Sequence, residues 1–80
     1  MYWSLLHRGR NGAETMELMI GPPEATRSQR LLTSDATAWY PYDGLYRVGE
    51  TETLTRFSLE SRTGLAEGNL VDAVVFAPVE

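Results

Sequence analysis

Large side chains recur at every second position on both sides of Asn11-Gly12: Trp3, Leu5 and His7 before it, Met16, Leu18 and Ile20 after it. This spacing lines one face of a β-strand, and Asn-Gly is the strongest short signal for a two-residue hairpin turn. Such a turn sets Trp3 against Ile20, Leu5 against Leu18 and His7 against Met16, all on one side of the ribbon. The other side reads Tyr2, Ser4, Leu6, Arg8, Thr15, Glu17 and Met19, a mixed face. The sequence therefore predicts an N-terminal hairpin with one apolar face, and Gly9 leaves room for a longer tip.

Beyond Gly21 the alternation stops. Pro22 or Pro23 fits a first helical turn, Glu24 suits a helix N-terminus, and Arg27 and Arg30 suit its far end, so a short helix is expected over about residues 23–32. An irregular excursion held by the proline pair is the alternative. In "WYPYDGLYRV", residues 39–48, Asp43-Gly44 predicts a reversal that gathers Trp39, Tyr40, Tyr42 and Tyr46 on the two faces of a second ribbon. Pro41 lacks an amide proton and places its segment at a sheet edge. A further turn at Gly49-Glu50 would set Arg47 against Glu52 and Leu45 against Leu54. "TETLTRFSLE" reads as a strand with Phe57 and Leu59 on one face, and Gly64 and Gly68 punctuate the loop that follows. "LVDAVVFAPV" has apolar residues at both parities, which predicts a strand covered on both faces.

The resulting expectation is one small, mainly β domain over residues 1–80: an antiparallel sheet or partly open barrel of five to six strands, with the one short helix. Its expected core is Trp3, Leu5, Leu18, Ile20, Phe57, Leu59, Val74 and Phe76. A chain of 80 residues buries only roughly 60 to 65% of its unfolded surface, so partners can supply part of its stability. Open sheet edges, here judged poorly guarded, favour self-association or addition to an assembly.

Chemistry finds little support. With no cysteine there is no disulfide framework, thiolate metal site or thiol nucleophile, and His7 is the only imidazole. No metal, no cofactor and no catalytic residue is expected. His7 reads as a partly buried or rim histidine beside Met16. Glu50 with Glu52, or Glu67 with Asp72, read as solvated charges rather than acid-base pairs. No apolar run is long enough to span a bilayer, and the basic residues of "MYWSLLHRGR" follow its apolar stretch, the wrong order for a signal peptide. The expected setting is soluble: cytoplasmic or virion-associated, away from membranes.

Residues 1–35 balance four Arg against four acids, while the remainder carries three Arg and seven acids, giving a net charge of -4. A phosphate-tracking surface needs a net basic stripe, so a single-stranded nucleic-acid binder using Arg8, Arg10, Trp39 and Tyr40 ranks second. Aromatic residues, Met and Arg without Lys match protein interfaces better. The leading expectation is a non-enzymatic protein-protein interaction or structural accessory module and a homo-oligomer, with Trp39, Tyr40, Tyr42, Tyr46 and Arg47 as partner-binding residues. A small bacteriophage particle subunit, or a virus-encoded inhibitor of a host complex, is the expected setting.

Overall fold

Pairing decides the architecture, and it is non-local. The computed structural model describes residues 1–63 and 68–78, which include six strands: β1 (Tyr2–Gly9), β2 (Glu14–Gly21), β3 (Ser28–Ser34), β4 (Tyr40–Leu45), β5 (Arg56–Ser61) and β6 (Asn69–Ala77). They form two antiparallel three-stranded sheets, ordered β4-β1-β6 and β3-β2-β5. Neither sheet closes into a barrel, and no α-helix occurs among the described residues. Gly64 and Glu67 lie outside the described residues.

The alternating faces around Asn11-Gly12 turn inward as expected, but β1 and β2 are not ladder partners. They are the central strands of opposite sheets, joined by residues 10–13, which cross between the layers. At the crossing the Gly9 amide donates to Asp35 O at 3.0 Å and the Arg10 amide to Gly68 O at 3.0 Å. β1 instead sets Leu5 opposite Tyr42 and His7 opposite Tyr40, while β2 sets Leu18 between Arg30 and Leu59. Trp3, Leu5, Leu18, Ile20, Leu32 and Tyr46 form the buried core, with Tyr42, Phe57, Leu59, Val71 and Phe76 packed against it.

The expected helix over 23–32 is replaced by a hairpin loop and β3. Gly21 ends β2, Ala25 N donates to Pro22 O at 3.1 Å, and Arg27 N returns to Ile20 O at 2.9 Å. A ten-residue helix is marginal by itself, whereas pairing Ser28–Ser34 with β2 completes a ladder and buries Leu32. Asp43-Gly44 is not a reversal either: both residues lie inside β4, opposite Ser4 and Trp3. The glycine meets a packing need, since a Cβ at Gly44 would sit 2.7 Å from Trp3 Nε1. The turn at Gly49 does form, with Glu52 N donating to Gly49 O at 3.0 Å, yet no ladder follows it. Leu45 and Leu54 are exposed rather than paired.

β6 carries a bulge. Its register against β1 slips by one residue between Ser4 and Leu6, and Ala73 adopts φ 51° there, its amide donating to the Asp72 carboxylate at 2.8 Å. The slip explains the apolar residues at both parities. Val71 faces inward before the bulge and Phe76 after it, where it meets Phe57 at a ring separation of 4.8 Å. The strand is not covered on both faces, and Val74, expected in the core, is 49% exposed.

The edges are better guarded than the sequence suggested. Pro41 interrupts the donors of β4, the bulge twists β6, Arg56 and Glu60 charge β5, and Arg30 of β3 reaches inward over Trp3 and Tyr42, each ring 5.6 Å away. These are the devices that discourage edge-to-edge pairing.

Candidate functional site

His7 is wholly buried rather than at a rim. Its Nε2 lies 2.7 Å from Asn69 Oδ1 and its Nδ1 lies 2.8 Å from Ser34 Oγ. The Asn69 amide nitrogen donates to Ser61 Oγ at 2.5 Å and to Thr15 O at 3.3 Å, which turns its oxygen toward the imidazole. An acceptor there requires a proton on Nε2, so Nδ1 of a neutral ring accepts from the Ser34 hydroxyl. The Tyr42 hydroxyl, 3.2 Å from Ser34 Oγ, donates to Thr33 O at 2.7 Å. All six strands therefore contribute a group to one polar thread through an otherwise apolar interior.

A serine, a histidine and an asparagine in hydrogen-bonding series have the connectivity of a nucleophile, its base and an orienting amide. Access is what this series lacks. Ser34 is 5% and Asn69 8% exposed, and neither surface cleft described below is lined by them. The geometry suits a register lock: each buried polar group has its partner on a different strand, so a slipped strand would leave several unpaired. The sequence singled out His7 but gave no signal for Ser34 or Asn69, which meet it only across 27 and 62 positions of chain.

A second constellation pins the segment between β4 and β5. The Glu52 side chain is 3% exposed. It accepts from the Thr55 hydroxyl, from the Tyr46 hydroxyl at 2.8 Å, from Gly49 N at 3.1 Å and from Arg27 at 3.1 Å. The Thr55 hydroxyl leads these donors in lowering its pKa to about 2, against the opposing effect of burial. Burial, with the Glu52 carboxylate beside it, raises the pKa of the Tyr46 phenol. Asp35 similarly collects the Thr37 hydroxyl and amide and the Tyr40 hydroxyl, which lower its pKa and hold the turn before β4.

These contacts sort the expected partner-binding residues. Tyr46 is core, Tyr42 is half-buried and faces the interior, and Tyr40 is half-buried with its hydroxyl on Asp35. Trp39, 39% exposed, and Arg47 lie at the surface. Of the residues named for nucleic acid, Arg8 shares the outer face of its sheet with Asp43 and Asp72.

The two broad outer faces differ. On β3-β2-β5, Arg62 binds Glu17 and Glu60, the latter at 2.7 Å, and the Thr15 and Thr33 hydroxyls pair at 2.9 Å. Both carboxylates raise the Arg62 pKa. On β4-β1-β6 the outward rows bring together Leu45, Tyr2 and Ala77, then Asp43, Ser4 and Val75, then Pro41, Leu6 and Asp72. Leu45 is 75% and Val75 43% exposed. One surface cleft, of about 620 Å³, lies beside the Pro22–Thr26 loop over Met19, Arg56 and Ser58. Another, of about 230 Å³, lies between Arg27 and Arg47. Among the described residues no cluster of metal-ligating side chains forms, and no helix is long and apolar enough to cross a membrane. No family model matches the chain, and neither a curated protein nor a solved structure matches it.

Proposed function

We propose that this chain is a non-enzymatic interaction or structural module that docks on a protein partner or a larger assembly through the outer face of β4-β1-β6. The observation that carries this reading is the contrast between its broad faces. One carries the ion pairs of Arg62 and the Thr15–Thr33 hydroxyl pair, with Leu31 the exposed leucine beside them; the other brings Tyr2, Leu45 and Val75 to the surface around Ser4, with the half-buried Leu6 next to them. Exposed apolar side chains gathered on one face favour a contact site more than single scattered ones do. Trp39 and Arg47 extend the exposed surface next to β4 in the chain. An accessory subunit of a bacteriophage particle, or a virus-encoded inhibitor of a host complex, is a setting in which so small a plate is useful.

A photoreactive residue at position 45, compared with one at position 17 on the polar face, tests the reading in an extract of the source. Protein adducts formed from 45 and not from 17 are expected. Equal labelling from both faces, or none from 45, would contradict it.

A further inference from the structure

We infer that Asn11-Gly12 is a site of spontaneous covalent modification: the Asn11 side-chain nitrogen is lost as ammonia through a cyclic imide, and the backbone crossing between the two sheets is rebuilt, and weakened, as an isoaspartyl link.

The chain has two asparagines, a thermally labile residue type, and the fold treats them oppositely. Asn69 is 8% exposed; its amide nitrogen donates to Ser61 Oγ and Thr15 O, and its oxygen lies 2.7 Å from His7 Nε2. Turning that side chain onto its own backbone would break all three bonds in a buried setting. Asn11 is exposed in the 10–13 crossing, and neither its side chain nor the Gly12 amide has a hydrogen-bond partner among the described residues. Gly12 brings no side chain to shield its nitrogen, and a Cβ built there would meet no atom within 4 Å. The Asn11 side chain can therefore turn, and the atom it must meet is open.

The reaction needs only water. The Gly12 amide, its proton taken by hydroxide, attacks the Asn11 side-chain carbonyl carbon. A carbon-nitrogen bond forms, the bond to the side-chain nitrogen breaks, and that nitrogen leaves as ammonia with a proton from water. Water then adds to one of the two carbonyls of the imide, and the ring nitrogen departs from that carbon. Cleavage at the side-chain carbonyl gives aspartate on an unaltered backbone. Cleavage at the main-chain carbonyl gives isoaspartate, whose backbone runs through the side-chain methylene. Overall one amide and one water become one carboxylate and one ammonium, with nothing oxidised or reduced.

The location makes the two products differ. Residues 10–13 join β1 to β2 across the layers, and the start of the crossing is anchored by Gly9 N to Asp35 O and Arg10 N to Gly68 O, both at 3.0 Å. The crossing folds tightly on itself, since a Cβ at Gly9 would sit 1.8 Å from Gly12 O. An isoaspartyl link inserts a backbone carbon between those anchors and β2 and displaces the Gly12 carbonyl from Gly9. Aspartate adds only an exposed charge to a chain already at -4.

The full chain, held at mildly alkaline pH both native and in guanidinium chloride, is followed by peptide mapping and by isoaspartyl methyltransferase labelling. Conversion of Asn11 mainly to isoaspartate is expected, at similar rates in the native and the unfolded chain, with Asn69 intact in the native one. Gly12→Ala, whose methyl enters open space, should stay folded and lose most of the conversion, because the methyl crowds the attacking nitrogen. The separated isoaspartyl chain should melt below the unmodified one, and Asn11→Asp should melt with it. An Asn11 that remains an amide in the native chain, native conversion of Asn69 ahead of Asn11, or undiminished conversion in Gly12→Ala would each overturn the inference. So would an isoaspartyl chain that melts with the unmodified one.

Discussion

Glu52 shows how one side chain organises a stretch with no strand of its own. Its carboxylate gathers two hydroxyls, a backbone amide and a guanidinium, all of which favour the ionised form. Its folded pKa of about 2 lies below the ordinary 4.5. The folded state therefore binds this proton less tightly than the unfolded one, and the resulting stability is complete above about 4.5 and lost as pH falls through about 2. Glu52→Gln should lower stability at neutral pH and flatten the pH dependence between those values, as read by urea unfolding at a series of pH values. His7 makes the complementary case, a wholly buried polar hub. His7→Phe keeps a ring but leaves the Ser34 hydroxyl and the Asn69 oxygen without their partner, at a cost of about 2 to 5 kcal/mol. An unchanged denaturation midpoint would show that the thread contributes nothing. Legibility at this scale was uneven. His7 stood out as the single imidazole, but Ser34 and Asn69 are ordinary loop-type residues in the sequence, and only the packing of distant strands gives them a role.

Strands were far easier to read than their partners. Alternation at Trp3, Leu5 and His7, and at Met16, Leu18 and Ile20, marks inward faces because burial acts on each strand locally. Which strand lies alongside is decided elsewhere: the Gly9 amide goes to Asp35 and the Arg10 amide to Gly68, so the chain crosses to the opposite sheet at Asn11-Gly12. The same limit applies at Asp43-Gly44, where the sequence shows a turn and the packing of Trp3 requires a bare strand. Gly44→Ala should cost about 1 to 3 kcal/mol by driving a methyl into the indole. Had Gly44 served a turn, the change would act through backbone conformation instead, and Trp3 fluorescence would not shift. At the β6 bulge, propensity and geometry predict opposite signs. Ala73 is exposed in a strand, where valine is ordinarily favoured. Its left-handed φ of 51° penalises a β-branched residue, so Ala73→Val should destabilise by about 1 to 2 kcal/mol. Stabilisation on thermal melting would contradict the bulge.

The whole molecule is thinner than its length suggests. Its Cα radius of gyration is 13.2 Å, against about 11.6 Å expected for a compact domain of this length. Two layers of short strands enclose one row of side chains from each, which leaves two broad faces that no third layer covers among the described residues. Aromatic residues between 39 and 46 that the sequence offered as a contact surface are mostly spent on that thin interior: Tyr46 in the core, Tyr42 against it, Tyr40 on the Asp35 turn. The face proposed for contact is built from Tyr2, Leu6, Leu45 and Val75, residues scattered through the chain and assembled only by the β4-β1-β6 pairing. That pairing is the claim on which both faces rest, and nuclear Overhauser contacts between backbone protons test it most directly. Contacts of Ser4 with Asp43 and with Val75 are predicted. A continuous ladder joining Leu5 to Leu18, as in a simple hairpin, would contradict it.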